Sequence, residues 1–140
     1  MLLYLDTSSL VKLFIEEQHS DRVREWADAV DVVLTCRVAY AEVVSAFSRR
    51  HREGGLRPAD YRKVMRAFDG QWESFGRLEF DERVAGRLAA KHALRGFDAI
   101  HLSAARMLIS DARGTSIAFS SFDNRLNRAA AKEKMTVLHP

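Results

Sequence analysis

Short apolar runs alternate along the chain with longer stretches in which apolar side chains return every three or four positions. The short runs, Leu2 to Leu5, Val32 to Thr35, Ile117 to Ser120 and Thr136 to His139, read as strands. Between them the spacing predicts helices over Ser8 to Glu17, Asp21 to Val30, Ala39 to Glu53, Pro58 to Glu73, Glu82 to Leu94, Asp98 to Ala112 and Asn124 to Lys134. Strands separated by helices predict an α/β fold with a mostly parallel sheet covered by helices.

Gly54-Gly55 and Pro58 supply a glycine stop followed by a proline at a first helical position, so the third and fourth helices should form a hairpin. Met65, Phe68, Trp72 and Phe75 recur at helical spacing, with Arg62, Lys63 and Arg66 on the other side. That stripe is either core or a surface for a partner. No repeat, low-complexity tract or linker interrupts the pattern, and residues 1–140 read as one domain.

Four acids break the apolar pattern. Asp6 ends the first strand, and Asp123 follows the strand Ile117 to Ser120, so both should emerge at carboxyl ends of parallel strands, where ligands bind in such sheets. Each could equally be a helix N-cap. Glu42 shares a helical stripe with Ala39, Val43, Ala46 and Phe47, where an apolar residue is expected. Asp98 opens a helix it could cap, and its neighbours one and two turns on, His101, Leu102 and Ala105, form an inward-facing set. His101, one turn after Asp98, could act in the same pocket or simply pack with a polar tip.

Composition narrows the class. With 140 residues, 47% of them hydrophobic, the chain can bury a continuous core without disulfides. Cys36 is the only cysteine, which excludes a disulfide framework and a cysteine-rich zinc cage and fits a reducing cytoplasm. The apolar start lacks a basic flank and is cut by Asp6, and no run approaches the roughly 20 residues of a membrane span. The expectation is a cytoplasmic protein with no membrane partner. Its 22 Lys and Arg against 19 Asp and Glu give a formal charge of +3, mildly favouring a polyanionic partner.

Two carboxylates about 4 Å apart repel by about 4 kcal/mol at an effective dielectric of 20, so clustered acids either protonate or recruit cations. Oxygen-only ligation suits Mg²⁺ or Mn²⁺, and the histidines show no zinc-type pairing. One or two such ions would activate water and neutralise charge on a phosphodiester. The chemistry that follows is metal-dependent phosphodiester hydrolysis.

These residues also carry a likeness. The stretches Tyr4-Leu5-Asp6-Thr7-Ser8-Ser9-Leu10-Val11-Lys12, Ala41-Glu42-Val43, Asp98-Ala99-Ile100-His101-Leu102-Ser103-Ala104-Ala105 and Ser120-Ser121-Phe122-Asp123-Asn124-Arg125-Leu126 resemble, in order, the four blocks of PIN-domain nucleases. Within that family the resemblance is to the VapC toxins of toxin-antitoxin pairs. It implies a three-layer α/β/α sandwich, a Mg²⁺ or Mn²⁺ site, endoribonuclease activity, a small antitoxin protein as partner, and a homodimer. By position, Asp6, Glu42 and Asp98 match the family's acidic trio and Asp123 its fourth acid. Thr7, Ser8 and Ser121 match hydroxyl residues that support the acids, although the fourth block has Ser-Phe-Asp where Thr-x-Asp is common.

Lys12, Arg49, Arg50, Arg52 and Arg95 are candidates to track an RNA backbone, against the simpler reading of a solvated helix end. Other α/β classes fit less well. A haloacid-dehalogenase-type phosphotransferase would need a second Asp where Ser8 stands, and a receiver module needs a late-strand Lys that the last strand lacks. A catalytically silent RNA-binding or signalling module with a Mg-binding acidic pocket is the remaining alternative.

Overall fold

A strand that is apolar at nearly every residue must be covered on both faces, and β1 (Leu2–Leu5) and β4 (Ile117–Ser120) are: Leu3, Tyr4 and Leu5, and all of β4, are buried. The computed structural model describes residues 1–111 and 114–140. Between β1 and β4 run α1 (Thr7–Val11), α2 (Ser20–Asp28), β2 (Val33–Cys36), α3 (Ala39–Arg52), α4 (Pro58–Gln71), a 3-10 turn (Trp72–Ser74), β3 (Gly76–Leu78), α5 (Glu82–His92) and α6 (Gly96–Asp111). After β4 come α7 (Asn124–Lys132) and β5 (Thr136–Val137).

The strands form one sheet in the order β3-β2-β1-β4-β5, every pairing parallel. Side chains alternate across it with the period of two that a strand imposes. Leu3, Leu5, Val33 and Ala118 join a core with Val43, Phe47, Val64 and Phe68 of α3 and α4. Tyr4, Ile117 and Phe119 face the other way, onto Leu88, Leu102, Leu126 and Ala129 of α5, α6 and α7. The result is the α/β/α sandwich, with β1 at its centre.

The helical hairpin forms as expected. Gly54 adopts a left-handed φ of 83°, which suits a residue without a Cβ, and the Gly55 amide donates to the Arg50 carbonyl at 2.8 Å. Pro58 sits in the first turn of α4, and Ser48 meets the Tyr61 hydroxyl at 2.8 Å across the pair. The Met65, Phe68, Trp72 and Phe75 stripe is core, packed around Phe14 and Phe47.

Three expectations need correction. The segment predicted as a helix from Ser8 to Glu17 is helical only over Thr7–Val11, because Lys12 turns back to Glu17 and Gln18 and Phe14 swings into the aromatic core. β3 was not anticipated. Asp98 is not an N-cap, since α6 begins two residues earlier, at Gly96, and holds Asp98 inside its first turn. The predicted end of that helix at Ala112 lies outside the described residues.

Candidate active site

The chain lays β2 and β3 outward from one side of β1 and then returns to lay β4 on the other. The crevice beyond the carboxyl ends of β1 and β4 is therefore a topological switch point, where neighbouring connections diverge and leave room for a ligand. Leu5 pairs with Ser120 at the end of this ladder, and the Asp6 amide donates to the Ser120 carbonyl at 3.1 Å. The register thus brings the segment after β1 against the segment after β4.

A cleft of about 920 Å³ opens there, and Asp6, Glu42, Asp98 and Asp123 all line it. Each comes from a different connection or helix. Asp6 is both the N-cap of α1 and a wall of the cleft: its Oδ1 accepts from the Ser9 amide at 3.0 Å and the Ser8 hydroxyl at 2.7 Å. Asp123 likewise caps α7, accepting from the Leu126 amide at 2.9 Å through Oδ1. Capping and the cleft position are compatible because a cap uses one carboxylate oxygen.

Glu42 stands in the first turn of α3 with its side chain 24% exposed. Its Oε1 accepts from the Thr7 hydroxyl at 2.7 Å and lies 2.7 Å from His101 Nε2. His101 is buried, and its Nδ1 lies 2.7 Å from the Tyr4 hydroxyl. Thr7 and Ser8 therefore serve different acids, and Ser8 also accepts from the Phe122 amide at 2.9 Å, tying the two loops together. Ser121 accepts from the Asp123 amide at 3.0 Å and its hydroxyl favours the ionised form of Asp6.

Burial pushes the Asp6 carboxyl above the usual range, against the opposing pull of His101, Ser121, Ser8 and the Ser9 amide. Burial also raises Glu42, but hydrogen bonding to His101 and Thr7 and the charge of Arg95 outweigh it, so Glu42 is held below its ordinary value. One acid is poorly compensated and its neighbour well compensated. Perturbed carboxyls of this kind in a cleft mark a candidate functional site.

Arg95 supplies one positive charge. Its Nε lies 3.2 Å from Asp98 Oδ2 and its terminal nitrogen 3.6 Å from Asp123 Oδ2, with the side chain 80% exposed. Lys12 also borders the cleft, but its Nζ is committed to Glu17 Oε1 at 3.0 Å and the Gln18 carbonyl at 2.8 Å, and sits 4.4 Å over the Phe122 ring. Arg50 lines the cleft while paired to Glu17 at 2.7 Å, and Arg49 lines it beside Arg50. Arg52, at the end of α3, is not among the lining residues.

The donor set is hard oxygen throughout, which fits Mg²⁺ or Mn²⁺, ions that keep several waters and need only one or two protein carboxylates. Among the described residues no three His, Cys, Asp or Glu side chains close around a single point. Tyr4 and Phe97 escaped the sequence reading. A hydroxyl inside the apolar run of β1 was the available signal for Tyr4.

Comparisons with known proteins identify the family and the fold. The PIN domain family model matches residues 3–132. Ribonuclease VapC49 of Mycobacterium tuberculosis H37Rv is 33% identical over 132 residues, covering 92% of this chain and 89% of the relative. Ribonuclease VapC35 of the same strain is 34% identical over 142 residues, 99% and 97% of the two chains. The crystal structure of PAE2754 from Pyrobaculum aerophilum superposes with a TM-score of 0.70 at 17% identity, over 98% of this chain and 83% of that one.

Proposed function

The chain belongs to the PIN-domain family, as a VapC-type ribonuclease, and from that premise we propose that it is a Mg²⁺- or Mn²⁺-dependent endoribonuclease, the toxin of a toxin-antitoxin pair. One observation carries the reading: Asp6, Glu42, Asp98 and Asp123 arrive from four parts of the chain to line one cleft at the switch point of the sheet.

Asp6, Glu42, Asp98 and Asp123 would hold one or two ions, which when bound supply an activated water and neutralise charge on the phosphodiester. The remaining work belongs to the protein. Ser8 and the Ser9 amide fix Asp6, while Thr7 and His101 grip one oxygen of Glu42 and leave the other for the cleft. Arg95 aligns Asp98 and Asp123 and presents its exposed guanidinium to a phosphate. Arg49 and Arg50 extend positive charge along the cleft wall, favouring a polyanionic strand.

The partners proposed are an RNA substrate, a small cognate antitoxin protein and a second copy of the chain. Incubation of purified protein with a mixed RNA pool, Mg²⁺ or Mn²⁺, and EDTA in parallel tests the activity. Cleavage that requires the metal is expected; its absence in both metals would leave the silent RNA-binding module as the better reading. Growth arrest on expression, relieved by co-expressing the antitoxin, tests the toxin role.

A further inference from the structure

Phe97 is 58% exposed, unusual for a phenylalanine, and it immediately precedes Asp98 in the first turn of α6. It walls the acid cleft and also a second hollow of about 510 Å³ that adjoins it, lined by Glu42, Arg95, Gly96, Phe97, Asp98 and Ile100. That volume lies within the roughly 300–1,000 Å³ of small-ligand pockets. The lining of the hollow therefore combines an aromatic ring and an aliphatic side chain with the carboxylates of Glu42 and Asp98 and an exposed guanidinium.

A protein partner would ask for a broad apolar patch, and among the described residues no other large hydrophobic of comparable exposure adjoins Phe97, the half-buried Ile100 being its apolar neighbour in the hollow. The other large hydrophobics exposed among the described residues are Met1, Val32 and Met107. Met1 and Val32 precede β1 and β2, at the edge of the sheet opposite the acids. Met107 is ten residues further along α6, about 15 Å away at helical rise. An exposed ring sharing a hollow with two carboxylates and an arginine matches a different occupant, one with an apolar face and an anionic linkage on the same unit.

We infer that Phe97 is the stacking platform for one unpaired nucleobase of the RNA, held in the second hollow while the adjoining phosphate lies at the acids and Arg95. The inference rests on the ribonuclease reading and adds to it the residue that would hold a base beside the acids. A base inside a duplex has both faces covered by its neighbours, so only a single-stranded or looped-out nucleotide can use the ring. Phe97 would bind and position; it does not act on the reacting atoms.

The test uses the full chain carrying Asp6→Asn to prevent cleavage, in Mg²⁺, with a short single-stranded RNA containing one 2-aminopurine, whose fluorescence is quenched by stacking. Quenching on binding is expected. Adding Phe97→Ala should abolish it and weaken affinity about tenfold, while Phe97→Trp should retain both. The same base in a blunt duplex should show no dependence on residue 97. Unchanged quenching and affinity in Phe97→Ala, or full affinity in Phe97→Leu, would overturn the platform, as would a Phe97→Ala effect confined to sedimentation as a dimer. Failure of the ribonuclease reading would appear instead as intact binding without metal-dependent cleavage by the wild type.

Discussion

Glu42 Oε1 and His101 Nε2 lie 2.7 Å apart, and the opposite nitrogen of the same imidazole meets the Tyr4 hydroxyl at 2.7 Å. A phenol carries a proton to give, and burial pushes that of Tyr4 well above its ordinary value, so Tyr4 donates to Nδ1 and leaves the ring proton on Nε2, facing Glu42. The central strand thereby sets the tautomer that holds a cleft acid.

Tyr4→Phe should test that chain directly. It strands a buried Nδ1 lone pair, at a cost of about 1–3 kcal/mol in urea unfolding. The Glu42 carboxylate still requires the Nε2 proton, so nitrogen NMR of His101 should show Nε2–H retained and the Nδ1 resonance shifted by loss of its donor, with slower cleavage. An unshifted Nδ1 resonance in a destabilised variant would reduce Tyr4 to packing.

Asp6→Asn separates the cost of the acid from its use. In the folded state burial raises its carboxyl pKa, so above that pKa the ionised group opposes folding, and the opposition fades as pH drops toward the unfolded value. Asn keeps a carbonyl oxygen for the Ser9 amide. The variant should therefore unfold at higher temperature than wild type in EDTA at neutral pH. Cleavage should fall by on the order of a hundredfold or more, and Mg²⁺ should raise its melting temperature less than that of wild type.

Lys12 and Arg95 both line the cleft but should behave oppositely. Lys12 is buried against Glu17, Gln18 and Phe122, so Lys12→Met should cost about 1–3 kcal/mol of stability while leaving the salt dependence of RNA binding unchanged. Arg95 is exposed, so Arg95→Ala should leave stability within about 0.5 kcal/mol and lower the magnitude of the salt slope by about 0.7. Affinity titrations across a salt series read both effects.

Three of the acids were legible because each violates a local pattern: Glu42 an apolar stripe, Asp6 and Asp123 the ends of buried strands. What could not be read were relations set by distant contacts. Tyr4 and His101 are 97 positions apart, and no periodicity reports that their side chains meet. β3 was hidden because Gly76-Arg77-Leu78 is short and none of it is fully buried. A Cβ at Gly76 would crowd the end of the Leu34 side chain on β2, so a glycine that in sequence looks like a loop sits in a strand closely paired with its neighbour. The first helix was overestimated for the converse reason, since its period continued past the point where tertiary contacts turned Lys12 and Phe14 away.

The strongest pH effect should come from a group remote from the cleft residues. Glu133, buried just beyond α7, accepts from Lys91 Nζ and His92 Nε2 at 2.8 Å and from Arg106 Nε at 2.9 Å, clamping α5 and α6 to the end of α7. Burial alone would raise its carboxyl, but these three donors and the Lys91 charge bring it down from 4.5 to about 2. A depressed folded pKa means the clamp contributes fully above about pH 4.5 and is lost as pH falls toward 2. The shift corresponds to stability on the order of 3 kcal/mol, an upper figure because Lys91 and Arg106 are half exposed and partly screened. Glu133→Gln should remove most of that at neutral pH and flatten the acid limb of a urea-unfolding series between pH 5 and 2, which in wild type should fall steeply. Equal acid limbs in the two proteins would mean that other carboxylates govern acid unfolding.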